Sequence, residues 1–239
     1  MSYYSSVILG DNPVGYWRFG EPYGSTTALD QTVNANNGTY TGGVYLQQRG
    51  AMFSDGDTCA LFDGTSGYVS VPGTPLDATF TGNFSLEGWF RSTGPLTSNA
   101  QYMMSKDSGA NITTYLFVDS INILFVAGTA AAYTHATVAG VWYYVVGTYA
   151  APTGTIYLNG VIGNSATLAG PTATPGVPMI LGAQTDPTLE NFMVGYLDEL
   201  AIYGYALTAA QVSNHYQAGI TTLGRPPLVS GAYATSRDR

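Results

Sequence analysis

Apolar and polar residues alternate along most of the chain in short runs, and Gly, Pro, Asn and Asp break the runs. That is the pattern of half-buried strands joined by turns. Residues 2–10 predict one or two helical turns, ended by Gly10 and by Asp11-Asn12-Pro13. Residues 14–19 predict a first strand. Residues 59–64 and 68–71 predict a strand, an Asp-Gly turn and its return strand. Residues 72–81 read as a polar link. Residues 84–90 are the next strong strand, and 103–109, 115–118 and 121–126 continue as a meander. Residues 140–149 are apolar on both faces, which predicts a central strand covered on both sides. Residues 155–162 are the clearest hairpin, because Asn159-Gly160 suits the two positive-φ positions of a type I′ turn. Residues 171–178 and 186–191 read as loops, and 179–182 as a short strand.

The stretch 195–212 predicts a strand, a tight link and the start of a helix. The two-residue period places Leu197, Glu199, Ala201 and Tyr203 on one face and Asp198, Leu200 and Ile202 on the other. Two adjacent carboxylates in an apolar strand require partners if they are buried. Thr208 and Gln211 have the spacing of a capping box. The helix they open is expected to stop at Gly219.

Composition supports an all-β fold. Charged residues are 9% of the 239, and there are 30 Gly, 12 Pro and 19 Tyr. The net charge of −8 argues against binding a phosphate backbone. No apolar run reaches membrane-spanning length, and no signal peptide is expected from the first residues. The charge is uneven: four of the seven basic residues and fourteen of the fifteen acidic ones precede residue 220. An acidic body with a basic end predicts that the end docks on an acidic surface. Cys59 is the single cysteine, so no intrachain disulfide can form, and it reads as a small core residue. His135 and His215 have no Cys or His neighbour at metal-binding spacing. No nucleophile elbow or phosphate-binding loop is present.

Several motifs together resemble one family. They are Val-Ile-Leu-x-Asp-x-Pro-Val-x-Tyr-Trp-Arg-Phe-x-Glu from Val7, Phe-Ser-Leu-Glu-Gly-Trp from Phe84, and Trp142 through the Asn159-Gly160 hairpin. Gly-x-Leu-Asp-Glu-x-x-Ile-Tyr and Ala-Leu-Thr-x-x-Gln-Val follow from Gly195. They resemble the laminin-G-like, concanavalin-A-like lectin and glucanase domains of bacterial and tailed-phage surface proteins. The resemblance implies a two-sheet antiparallel jelly-roll sandwich with short terminal helices. The domain would span residues 1–219, with an extended basic arm over 220–239.

The resemblance also implies a structural calcium ion held by Asp198 of the closing strand, with Asp63 or Glu21 beside it. The alternative is that Asp198 accepts backbone N–H groups. Carbohydrate binding is the family's common occupation, although most of the Tyr residues are expected to fill the sandwich. The Glu-x-Asp-x-x-Glu strand of related hydrolases is missing, and Asp198 and Glu199 are consecutive, so no catalytic pair is expected. Glu87 reads as a buried hydrogen-bond acceptor. The expected role is a non-enzymatic phage virion component, a capsid decoration, head-fibre or tail-associated protein that forms homo-oligomers. Its arm residues Arg225, Pro226, Pro227, Tyr233, Arg237 and Arg239 would lie on a neighbouring virion subunit. It would fold in the host cytoplasm, sit on the virion surface and contact host-surface glycans, without nucleic acid or membrane insertion. A stand-alone lectin-like module is the alternative, and a glycoside hydrolase a distant third.

Overall fold

A computed structural model describes residues 2–52, 56–94, 100–119, 122–135, 138–186 and 188–221. The chain opens with α1 (Tyr3–Gly10) and β1 (Gly15–Trp17), then β2 (Thr27–Ala28), β3 (Gly38–Thr41), β4 (Val44–Arg49), β5 (Thr58–Asp63) and β6 (Tyr68–Val71). The middle comprises β7 (Phe84–Ser92), β8 (Gln101–Asp107), β9 (Ile112–Asp119), β10 (Asn122–Ala127), β11 (Ala130–His135), β12 (Tyr143–Ala150), β13 (Thr153–Leu158) and β14 (Val161–Thr167). It closes with β15 (Met179–Leu181), β16 (Gln184–Asp186), β17 (Thr188–Glu190), β18 (Val194–Tyr203) and α2 (Ala209–Ile220).

Two eight-stranded antiparallel sheets form a sandwich. The first has the order β14-β13-β12-β7-β18-β5-β4, with β1 also paired to β18. The second has the order β11-β10-β9-β8-β15-β6-β3-β2. Sequentially distant strands lie side by side, and the closing strand β18 sits between β7 and β5. The core between the sheets includes Trp17, Phe19, Phe62, Phe84, Phe90 and Phe125. A second apolar layer, with Tyr4, Ile8, Trp89, Tyr144, Tyr203 and Val212, lies over the outer face of the first sheet. Helices α1 and α2 cover that layer, and the Tyr216 ring of α2 stacks on Trp89 at 5.9 Å and on Tyr144 at 6.1 Å.

Local signals predicted these elements well. Asn159 and Gly160 have φ of 50° and 79°, the positive values a type I′ hairpin demands. The Thr208 hydroxyl accepts from the Gln211 backbone N–H at 3.3 Å, and the Gln211 side chain accepts from Thr208 N–H at 3.0 Å, completing the capping box. β12 is buried along nearly its whole length.

Several expectations change. β5 and β6 do not form a hairpin, because β5 pairs in the first sheet and β6 in the second. Residues Thr74–Thr81 form a 3-10 helix that buries Leu76 and Phe80, where a polar link was expected. β16 and β17 form a small hairpin in place of the predicted loop. Gly219 does not stop α2. It lies inside the helix, where a Cβ would come within 2.5 Å of the Trp89 ring, so glycine allows close packing there. Residues 222–239, and with them Arg225, Pro226, Pro227, Tyr233, Arg237 and Arg239, lie outside the described residues. No helix among the described residues is long and apolar enough to cross a membrane.

Candidate functional site

The carboxylates of the closing strand are not on opposite faces. Asp198 pairs with Trp89 and Ala201 with Glu87, so β18 carries one extra residue there. This is a β-bulge, and Glu199 takes φ of 55° within it. The bulge resets the alternation. Leu197, Leu200 and Ile202 all face the inter-sheet core, while Ala201 and Tyr203 join the layer beneath the helices.

Glu199 is fully buried and meets Arg18, whose Nη2 donates to its Oε1 at 2.8 Å and whose Nε donates at 3.0 Å. The Tyr16 hydroxyl donates to the other Glu199 oxygen. Arg18 also forms an ion pair with Asp57 at 2.7 Å. Asp198 Oδ2 accepts from the Ala51 backbone N–H at 2.8 Å, and among the described residues its Oδ1 has no partner. Burial, together with the Glu199 charge, pushes the Asp198 carboxyl well above the usual range, and the Ala51 N–H only partly opposes this. Burial also raises Glu199, to about 7, and Arg18 and the Tyr16 hydroxyl only partly oppose it.

The trio implied by the family does not converge. Asp63 is opposite Val194, four residues along β18 from Asp198. Its Oδ1 accepts from the backbone N–H groups of Thr65, Ser66 and Gly67 at 2.8–2.9 Å, which hold its carboxyl low although burial opposes them. Glu21 accepts from Leu29 N–H at 2.8 Å and from the Tyr40 hydroxyl at 2.6 Å. Asp198, Asp63 and Glu21 are thus used separately, and Arg18 supplies the positive charge that the closing strand needs. These three residues do not fit a shared ion. Among the described residues no group of three His, Cys, Asp or Glu is placed to hold a metal.

Glu87 is the buried acceptor that the sequence predicted. It receives the Tyr144 hydroxyl at 2.8 Å and the Tyr203 hydroxyl at 3.1 Å. His215 of α2 lies 2.9 Å from it through Nδ1, and its Nε2 lies 2.8 Å from Asp11, just past α1. Burial would lower the imidazole's pKa, but the Glu87 and Asp11 charges overcome it and raise the value to about 9. This Asp–His–Glu chain resembles catalytic hardware, yet His215 and Glu87 are both fully buried. It ties the helices to the sheet. Cys59 is buried as expected, and burial raises its thiol.

The accessible chemistry is at the edge of the sandwich. Tyr23 and Tyr45 are 84% and 51% exposed, unlike most of the tyrosines. They line a cavity of about 210 Å³ together with Gly24, Ser25, Tyr40 and Val44. The loop that carries Tyr23 also borders a neighbouring cavity of about 240 Å³, lined by Arg18, Glu21, Gln31 and Asp57 among others. Sequence reasoning did not single out Tyr23 or Tyr45. The available signal was Pro22-Tyr23-Gly24, an aromatic at the tip of a turn, where burial is difficult.

Comparison with known proteins agrees with this architecture. The fourth domain of an extracellular GH43 arabinanase from Geobacillus stearothermophilus, solved with arabinotriose, superposes with a TM-score of 0.63 at 18% identity, over 86% of this chain and 98% of that one. The receptor-binding domain of a botulinum neurotoxin C/D mosaic serotype superposes at 0.64 and 12% identity, over 87% of this chain and 51% of that one. A Trypanosoma rangeli sialidase gives 0.61 and 16%, over 84% of this chain and 32% of that one. At these identities the likeness is one of fold. No curated protein sequence matches the chain. Residues 63–213 match the family described as the concanavalin A-like lectin/glucanases superfamily, which covers more than half of the chain, and the chain belongs to that superfamily.

Proposed function

We propose that this protein is a carbohydrate-binding jelly-roll domain without catalysis of its own, and that it holds sugar at the Tyr23–Tyr45 edge. The observation that carries this reading is the pair of exposed tyrosines flanking a cavity beside a polar one. Sugars present apolar faces ringed by hydroxyls, and aromatic rings beside fixed hydrogen-bonding groups suit them. The arabinanase domain solved with arabinotriose and a toxin binding domain solved with SialylT support the class of ligand. Hydrolysis with retention needs two carboxyl groups about 5 Å apart and open to the sugar. The closing-strand carboxylates share a cluster, but both are buried and anchored. A broad glycan array is the test. Saturable binding to a defined glycan, lost in a Tyr23→Ala/Tyr45→Ala double variant, is expected. An array without hits overturns the reading.

A second reading is favoured by the charge asymmetry of the chain. In this reading the domain is a structural part of a phage particle, exposed on its surface, and the basic segment after residue 219 lies on an acidic neighbouring subunit. Deleting residues 221–239 should then abolish association with particles and leave the fold intact. Normal association of the truncated protein rejects it.

A further inference from the structure

The helices leave part of the first sheet's outer face open. One cross-strand row runs along that opening. Tyr45 of β4 pairs with Leu61 of β5, Leu61 with Tyr196 of β18, and Tyr196 with Arg91 of β7. Trp142 completes the row, because the next residue, Tyr143, pairs with Phe90. The neighbours Phe62, Leu197, Phe90 and Tyr143 all point into the inter-sheet core, so these five side chains face outward. Tyr45 is exposed and the other four are partly exposed. The row crosses four strand spacings, about 19 Å. At its Tyr45 end it meets the cavity described above.

Arg91 is the unusual member. Its guanidinium lies 4.1 Å from the Tyr196 ring centre and 5.2 Å from that of Trp142. Those contacts hold the charge over two rings tilted 53° to each other, and no hydrogen bond to the described residues uses its N–H donors. Among the described residues no carboxylate pairs with it, whereas Arg18 and Lys106 are both ion-paired. A positive group held by two aromatic rings on an otherwise acidic body has the chemistry for a planar anion at a sugar-sized spacing from other rings.

We propose that this row is the extended subsite of an acidic oligosaccharide, with sugar rings over Tyr45, Tyr196 and Trp142 and a sugar carboxylate bonded to Arg91. The inference rests on the carbohydrate-binding reading and adds the ligand's charge and direction. A two-pronged guanidinium–carboxylate contact is shorter and stronger than a neutral one.

The test is calorimetric titration of the full chain with uronic-acid and sialylated oligosaccharides, each beside its carboxyl-reduced neutral counterpart. The expected result is at least about a tenfold preference for one acidic member, as a single charge-assisted bond provides. Arg91→Gln should bring that preference close to one while the urea midpoint stays unchanged. Arg91→Lys should keep only part of it. Trp142→Ala should weaken acidic and neutral forms alike. Equal affinity for acidic and neutral partners, or an acidic preference untouched by Arg91→Gln, overturns the subsite while leaving sugar binding at Tyr23–Tyr45 standing. Binding of none of the panel overturns the acidic subsite, and the broad glycan array alone decides the wider carbohydrate reading. Equally tight, Arg91-dependent binding of a polyglutamate peptide overturns the sugar assignment.

Discussion

Glu87 and Arg91 are on the same strand, two pairs apart on the same outward face, yet their surroundings are opposite. Over Glu87 the helices shut out water, and every polar atom that faces it is paired: two tyrosine hydroxyls and the His215 imidazole. Over Arg91 lie the Tyr196 and Trp142 rings, and among the described residues no carboxylate pairs with its charge. The difference teaches how to sort charged residues on a half-covered sheet. A charge under a helix must be neutralised at once, because an unpaired buried charge costs several kcal/mol. A charge at the margin is stabilised by water and is free for a ligand. The covered chain looks more like an active site, but only the open one is accessible to a ligand.

The largest expected effect comes from breaking the covered half. Glu87→Ala removes the partner of a buried imidazolium and of two tyrosines, and should destabilise the fold by about 3–5 kcal/mol in urea denaturation. Equal loss from Arg91→Ala would dissolve the contrast.

A pH series sharpens it next. The His215 value of about 9 lies above the ordinary 6.5, so the native state holds that proton more tightly than the unfolded chain does. This contribution is complete below pH 6.5 and is lost as pH rises through about 9. It amounts to at most about 3 kcal/mol. The urea midpoint should fall across that window in the native sequence and stay level in His215→Gln. Parallel curves would remove the imidazolium from the account.

The smallest effect tests how closely the covering helix sits. Gly219→Ala puts a methyl within 2.5 Å of the Trp89 ring position, and overpacking of this kind should cost about 1–3 kcal/mol. A neutral result would mean that α2 rides loosely on the sheet.

Much of this was legible beforehand. The central strand, the Asn159-Gly160 turn and the Thr208–Gln211 cap are local signals, set by side-chain period and by φ preferences within a few residues. Glu87 was legible as a buried acceptor because a lone carboxylate in an apolar strand has few other uses. The partners of Glu87 were not, since Tyr144, Tyr203 and His215 reach it from distant strands and a helix. The facing of Asp198 and Glu199 failed for a related reason. A strict two-residue period holds only where the ladder is regular, and the extra residue in β18 shows only against its partner β7. The β5–β6 expectation failed because an Asp-Gly turn dictates a reversal but not which sheet the returning strand enters.

By itself, then, the sequence determined the strands, the caps, the hairpin and the family, all of which depend on near neighbours or on motifs in order. Only the tertiary structure decided which carboxylates meet Arg18, which charge lies under a helix, and that Tyr45, Tyr196, Arg91 and Trp142 form one row. Those outcomes depend on register between strands far apart in the chain, and a single bulge or a crossover resets them.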